Sequence, residues 1–231
     1  MIREQENSLF ETWKEYVSND AVFVKDGVVN EEEWNKAPIK VLYLLKEVNG
    51  GDQEWDERDY LEKYNIEPEY IKTHSPTISV LTQWQYGILK GNKRKWDDVE
   101  KEALLPEIQS KLLSQICLVN VKKTAGGSVV DWNKFDAYFS KEINRANLRN
   151  QLKLYLPDIV ICGGTAWHLS QIKGWNDSVW KQTNRGIKYC NEGNVVYVDF
   201  CHPNIRGPKN IFYYALVDAL EEIMTKRFEE K

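Results

Sequence analysis

The chain has no apolar run approaching the roughly 20 residues that cross a bilayer. Its first residues, Met1-Ile2-Arg3-Glu4-Gln5-Glu6, lack the apolar core of a signal peptide. We therefore expect no membrane partner and a cytoplasmic location. Internal repeats, low-complexity tracts and linker-like segments are also absent, so we expect one domain over residues 1–231, with 1–38 as a helical extension packed on it. We expect this domain to be a monomer.

Residues that bind metals are scarce. None of the four cysteines forms a CxxC pair, and the three histidines have no metal-ligand spacing. This argues against structural zinc, iron–sulfur clusters and a disulfide framework. We expect no metal and no cofactor.

Positive charge is scarce in the first part of the chain. Residues 1–70 carry 8 Lys and Arg against 18 Asp and Glu, whereas the remainder carries 23 against 17, and the net charge is −4. The basic surplus of the second part permits a polyanionic partner such as DNA or a nucleotide. The acidic part has an ordinary alternative, which is a solvated face.

Four apolar runs of strand length alternate with segments of helical spacing. Continuous apolar runs are typical of parallel strands covered on both faces. The strands are predicted at residues 39–45, 116–119, 158–162 and 195–200. Helices are predicted at residues 7–18, 76–88, 99–115 with a break near Pro106, 132–155 as one or two helices, 166–172 and 211–228. This alternation predicts an α/β fold, specifically a three-layer α/β/α domain with a four-stranded, mainly parallel sheet.

The most informative segment follows the last predicted strand. It reads His202-Pro203-Asn204-Ile205-Arg206-Gly207-Pro208 and holds an imidazole, an amide and a guanidinium. In open α/β sheets ligands bind at the carboxyl ends of the strands. The loops after Leu45, Val119, Cys162 and Phe200 are therefore expected to converge on one functional edge.

These four loops resemble motifs of the uracil-DNA glycosylase superfamily. Segment 41–51, VLYLLKEVNGG, resembles its water-activating motif, and Leu118-Val119-Asn120 is similar to its base-recognition asparagine. Segment 159–167, IVICGGTAW, is similar to its strand, glycine turn and helix, and His202-Pro203-Asn204 resembles its His-Pro-Ser motif. The match covers residues 39–208 in the family's order. The chain departs from the pattern at Glu47-Val48-Asn49, at Asn204, and at Ile205-Arg206, where a leucine wedge is typical.

The resemblance implies a DNA base N-glycosylase that takes up a flipped nucleobase. Glu47 would orient water or steady the sugar cation, and His202 would stabilise the departing base anion. Asn120 and Asn49 would bind the base. Contacts to the nucleic-acid backbone are expected from the polar and basic residues Asn204, Arg206, Lys122 and Lys123.

Each of these residues also has an ordinary structural alternative. Glu47 can form an exposed ion pair with Lys46, and Asn120 can support a turn. His202 can bind backbone, and the lysines can form a solvated face. At the level of the whole chain, the alternatives are a non-catalytic nucleic-acid- or nucleotide-binding module of the same fold, and an N-glycosidase of free nucleosides or nucleotides.

Overall fold

The structure is a computed structural model that describes residues 1–18, 21–51, 53–63, 76–91 and 94–229. The strands in these ranges are β1 (Val24–Lys25), β2 (Gly27–Val28), β3 (Val41–Leu45), β4 (Trp55–Asp56), β5 (Ile116–Asn120), β6 (Ile159–Gly163), β7 (Lys181–Gln182), β8 (Lys188–Glu192) and β9 (Val195–Phe200). The helices are α1 (Ile2–Lys14), α2 (Glu31–Lys36), α3 (Glu57–Lys63), α4 (Pro76–Lys90), α5 (Trp96–Glu102), α6 (Pro106–Ser114), α7 (Trp132–Phe139), α8 (Glu142–Leu152), α9 (Ala166–Lys173) and α10 (Lys209–Glu229).

The main sheet has seven strands in the order β2-β5-β3-β6-β9-β8-β7. Its centre consists of the four predicted strands, which are parallel neighbours. The predicted α/β fold is confirmed, but a four-stranded sheet is wrong. β2 pairs antiparallel with β5 at one edge, and β8 and β7 add antiparallel strands at the other. These additions carry no continuous apolar run, because each is short or faces solvent on part of its length.

Two apolar cores lie on opposite faces of this sheet. Val41, Tyr43 and Leu45 of β3 point into one core, and Leu42 and Leu44 point into the other, as the two-residue period of a strand requires. The first core is covered by α4, α5, α6 and α10, and the second by α1, α7, α8 and α9. Burial on both faces explains why the central strands are apolar throughout.

One helix prediction changes in extent, because the first helix spans Ile2–Lys14 instead of 7–18. The break predicted near Pro106 is confirmed, since α5 and α6 are separate helices and Pro106 occupies the first turn of α6. Of the one or two helices predicted over 132–155, the structure has two, the first capped by Asp131, whose side chain accepts a hydrogen bond from the Lys134 N–H.

The N-terminal segment 1–38 contains strands as well as helices, so its description as a helical extension is incomplete. It supplies β2 to the main sheet and β1 to a small parallel pair with β4. Its side chains Trp13, Phe23 and Trp34 are at most 1% exposed. The segment thus belongs to the second core. No helix of the described residues combines the length and apolarity needed to cross a membrane.

Candidate functional site at the carboxyl edge of the sheet

The loops that follow β3 and β5 lie side by side. The Val121 N–H donates to the Leu45 carbonyl at 2.9 Å, and the Lys122 N–H donates to the Lys46 carbonyl at 2.9 Å. Further along, the Gly126 N–H donates to the Val48 carbonyl at 2.8 Å. Backbone pairing therefore continues past the ends of the two strands and brings Glu47 next to Lys122.

Glu47 forms a buried ion pair, and its partner is Lys122. The two side chains are 4% and 7% exposed, and Lys122 Nζ lies 2.5 Å from Glu47 Oε2. The exposed pair with Lys46 that the sequence allowed is therefore wrong. Glu47 Oε1 is buried and has no hydrogen-bond partner among the described residues. One carboxylate oxygen is fixed by the ammonium, and the other is left to accept a hydrogen bond.

His202 is a neutral hydrogen-bond donor at neutral pH. Its Nδ1 accepts the Asn204 N–H at 3.1 Å, which assigns the proton of the neutral ring to Nε2. Burial, with a smaller effect of the Lys46 ammonium, lowers the pKa of His202 to about 4. A methyl group at Gly163, at the end of β6, would lie 2.5 Å from Leu45 Cδ2, so the glycine is needed for close packing against the end of β3.

Asn120 ends β5 and is 3% exposed. Its backbone N–H donates to Asp26 Oδ2 at 2.7 Å, its Nδ2 lies 3.4 Å from the same oxygen, and its carbonyl accepts from Lys123 Nζ at 2.8 Å. These contacts fit the structural alternative, in which the asparagine supports the end of a strand.

Lys123 and Lys122 lie inside the protein. Lys123 is 0% exposed, and its Nζ lies 2.6 Å and 2.7 Å from the two carboxylate oxygens of Asp26. Burial lowers the pKa of Lys123, and the attraction of Asp26 opposes this effect. Neither ammonium is presented to a phosphate, and neither lies on a solvated face as the sequence had allowed.

Asn49, Asn204 and Arg206 are exposed. Asn49 forms a bridge with Gly126 beside the Glu47 pair, and Asn204 and Arg206 lie in the loop after β9. Within the described ranges no hydrogen bond joins the Glu47 pair to the His202 loop. Lys46 directly precedes Glu47 in the chain, and its positive charge contributes to the lowered pKa of His202.

Sequence reasoning missed Asp26 and Glu57. Asp26 is 1% exposed and also accepts from Gln151 Nε2 at 2.8 Å. Glu57 Oε2 accepts from Trp55 Nε1 at 3.0 Å, and burial, with Asp26 and Asp56 nearby, raises the pKa of Glu57 to about 7. Neither carboxylate follows a predicted strand, so no local pattern singles them out.

Other features do not add to this site. In the part of the chain that the structure describes, no group of three or more His, Cys, Asp or Glu residues is placed to hold a metal ion. A cavity of about 380 Å³ lies over Leu42, Val160 and Tyr197, and none of the predicted site residues line it. Comparison of the chain with protein-family models, with curated proteins and with solved structures finds no match.

Proposed function

We propose that the chain is a DNA base N-glycosylase that hydrolyses the N-glycosidic bond of a flipped nucleobase. The observation that carries the proposal is the state of His202, whose Nδ1 is occupied by the Asn204 N–H and whose ring is neutral with the proton on Nε2. A neutral donor at a strand-end edge suits a leaving group that becomes an anion, because it stabilises the charge without surrendering its own proton.

The proposed reaction uses little covalent chemistry from the protein. The electrons of the N-glycosidic bond go to the departing base, and His202 Nε2–H donates to its carbonyl oxygen as negative charge develops. Glu47 Oε1 accepts a hydrogen bond from the water that adds to the sugar cation, and it takes the proton released. The base anion then gains a proton from solvent.

In this proposal the remaining candidate residues contact either the nucleobase or the phosphates of the nucleic acid. Asn49 is exposed beside Glu47, and Asn120 is the buried amide at the end of β5. Asn49 offers both the donor and the acceptor that a base edge requires, whereas Asn120, whose Nδ2 lies 3.4 Å from Asp26 Oδ2, would present its amide oxygen. Asn204 and Arg206 are exposed in the His202 loop and would contact phosphates. Lys122 and Lys123 hold Glu47 and Asp26 in place and take no phosphate in the proposal.

A second candidate is a non-catalytic nucleic-acid- or nucleotide-binding module. The specific observation that favours it is the ion pair of Glu47 with Lys122, since the ammonium cancels the carboxylate charge that would steady a sugar cation. Hydrolysis of a free nucleoside or nucleotide is the third possibility, and it predicts base release without a polymer.

The test is base release from oligonucleotides and from free nucleosides that carry a panel of altered bases, with alkaline cleavage revealing abasic sites in the polymers. We expect release from a polymer and a loss of about 10²–10³-fold in rate for His202→Ala, as for removal of one preorganised donor. Because the pKa of His202 is about 4, the wild-type rate should show no histidine titration between pH 8 and pH 5. Tyr16→Ala, an exposed aromatic near α1, serves as the control.

The outcomes separate the candidates. Binding without any release supports the binding module, and release from nucleosides alone supports the free-nucleoside activity. Release that survives His202→Ala within a few-fold would contradict the role of His202.

A further inference from the structure

Only two of the nine tryptophans are exposed, and they lie in one cluster. Trp132 is 50% exposed and Trp167 is 60% exposed. Trp132 contacts Phe135 at 5.7 Å between ring centroids, Phe135 contacts His168 at 5.1 Å, and His168 contacts Trp167 at 4.9 Å. We call these four residues and Phe139, which lies 4.8 Å from His168, the aromatic surface cluster.

Trp132 and Trp167 are the exposed members of this cluster, and neither belongs to the apolar core. Phe135 and Phe139 are at most 5% exposed and fill the second core, whereas the two tryptophans cover them and present large aromatic areas to solvent. Exposed aromatic surface of this kind marks interaction sites in soluble proteins. Beneath the tryptophans, His168 is 6% exposed, and its Nδ1 has no hydrogen-bond partner among the described residues.

Lys46 places the cluster beside the candidate site. Its Nζ lies 5.2 Å from the Trp132 ring centroid, and a methyl group at Gly164 would come within 3.4 Å of the same Nζ. Lys46 directly precedes Glu47, and its charge acts on both His202 and His168. Among the described residues, no carboxylate forms an ion pair with Lys46, so its positive charge is available to an anionic ligand.

We infer that Trp132 and Trp167 form a stacking surface for the nucleobases that flank the reacting base on the same strand. An exposed aromatic face beside an unpaired ammonium provides the two contacts that a nucleic-acid strand needs, one for the base and one for the phosphate. A purely apolar partner would gain nothing from Lys46. The inference rests on the proposed function, since it takes the ligand to be a nucleic-acid strand, but it concerns binding outside the reaction pocket.

The test compares two probes by fluorescence anisotropy at low salt. One is a short fluorescein-labelled oligothymidylate, and the other is an oligomer of equal length and charge in which every nucleotide is abasic. Trp167→Ala and Trp132→Ala should each weaken binding of the oligothymidylate by roughly 5- to 100-fold, the range expected for loss of one stacked base. They should leave the affinity for the abasic oligomer unchanged, because phosphates do not stack.

Matched variants distinguish stacking from general effects. Tyr16→Ala removes an aromatic side chain of similar exposure, 49%, outside the cluster and should change neither affinity. Trp167→Phe should restore part of the loss. Both tryptophans are half exposed or more, so their truncation leaves no large internal cavity, and an unchanged thermal midpoint verifies folding.

The inference is overturned if wild type binds neither probe, if the tryptophan variants bind the oligothymidylate like wild type, or if they lose both probes equally. Its failure is distinct from that of the proposed function. Tryptophan-dependent binding without any base release leaves the stacking surface standing and removes the glycosylase. Base release together with oligothymidylate binding that does not depend on the tryptophans supports the glycosylase and removes the stacking surface.

Discussion

Single residues at the carboxyl edge show how much buried charge this fold carries. Asp26 and Lys123 are 1% and 0% exposed, and each is satisfied by further polar groups of the backbone and of Gln151. Removing two ions from water is expensive, so the pair is stable only while both charges and their hydrogen bonds are present. The pair holds the end of β5, where Asn120 lies.

We predict that Lys123→Met lowers the free energy of unfolding by about 3–5 kcal/mol, because it leaves the Asp26 carboxylate buried without a counter-charge. Urea denaturation of Lys123→Met, of Asp26→Asn and of the double variant measures the three unfolding free energies. The double variant should lose less unfolding free energy than the sum of the losses in the two single variants. Lys36→Met, which breaks an exposed helical ion pair, should have little effect. Additive losses at Asp26 and Lys123 would contradict the coupling.

Among the structural elements, the paired loops after β3 and β5 define the geometry around Glu47. The backbone of Gly126 closes one side of the carboxylate, and a methyl group there would lie 2.3 Å from Glu47 Oε1. A contact that short is impossible, so either the Glu47 side chain or the loop must shift. A methyl group at the neighbouring Gly127 would have the Val129 carbonyl oxygen as its nearest neighbour, at 3.6 Å, which is an ordinary separation.

Gly126→Ala should therefore disturb Glu47, whereas Gly127→Ala should not. We expect base release to fall by up to about 10²-fold in Gly126→Ala, since small displacements of a positioned group cost that much. The unfolding free energy should also fall more than in Gly127→Ala. Single-turnover rates and urea denaturation of the two variants provide the comparison, and equal behaviour of both would show that Gly126 does not fix the carboxylate.

At the scale of the whole molecule, the N-terminal segment is part of the domain's structure. β2 covers the edge of β5, and Trp13, Phe23 and Trp34 fill the second core. Without this segment β5 would expose an unpaired edge, and a core of large aromatic side chains would open to water.

We predict that residues 39–231 alone do not form a cooperative native state. Near-ultraviolet circular dichroism and urea denaturation should show neither fixed aromatic packing nor a sharp transition, in contrast to the full chain. Addition of a separate peptide of residues 1–38 should restore part of the aromatic signal. A fragment that unfolds as cooperatively as the full chain would show that the segment is dispensable.

The sequence predicted the parts of this fold that are coded locally. β3, β5, β6 and β9 were found because burial on both faces demands apolar runs, and the start of α4 at Pro76 followed from its proline. β8 was missed because its sequence KYCNE buries only two adjacent residues, Tyr189 and Cys190, between exposed polar ones, and so shows neither an apolar run nor an alternation. The pair of Glu47 with Lys122 joins residues 75 positions apart, and no local spacing reports such a contact. The cation–π contact of the Lys46 ammonium with the Trp132 ring also joins distant residues and was missed for the same reason.

The strand order determines when the carboxyl edge of the sheet can be completed during synthesis. β3 lies between β5 and β6, so during synthesis the first long strand has no sheet partner until the middle of the chain has left the ribosome. Its apolar sequence VLYLL must meanwhile be kept from other chains. β9 and the His202 loop leave the ribosome after β3, β5 and β6, so a nascent chain that already holds Glu47 and Asn120 still lacks His202. Any activity that needs His202 must therefore await the synthesis of β9 and its loop.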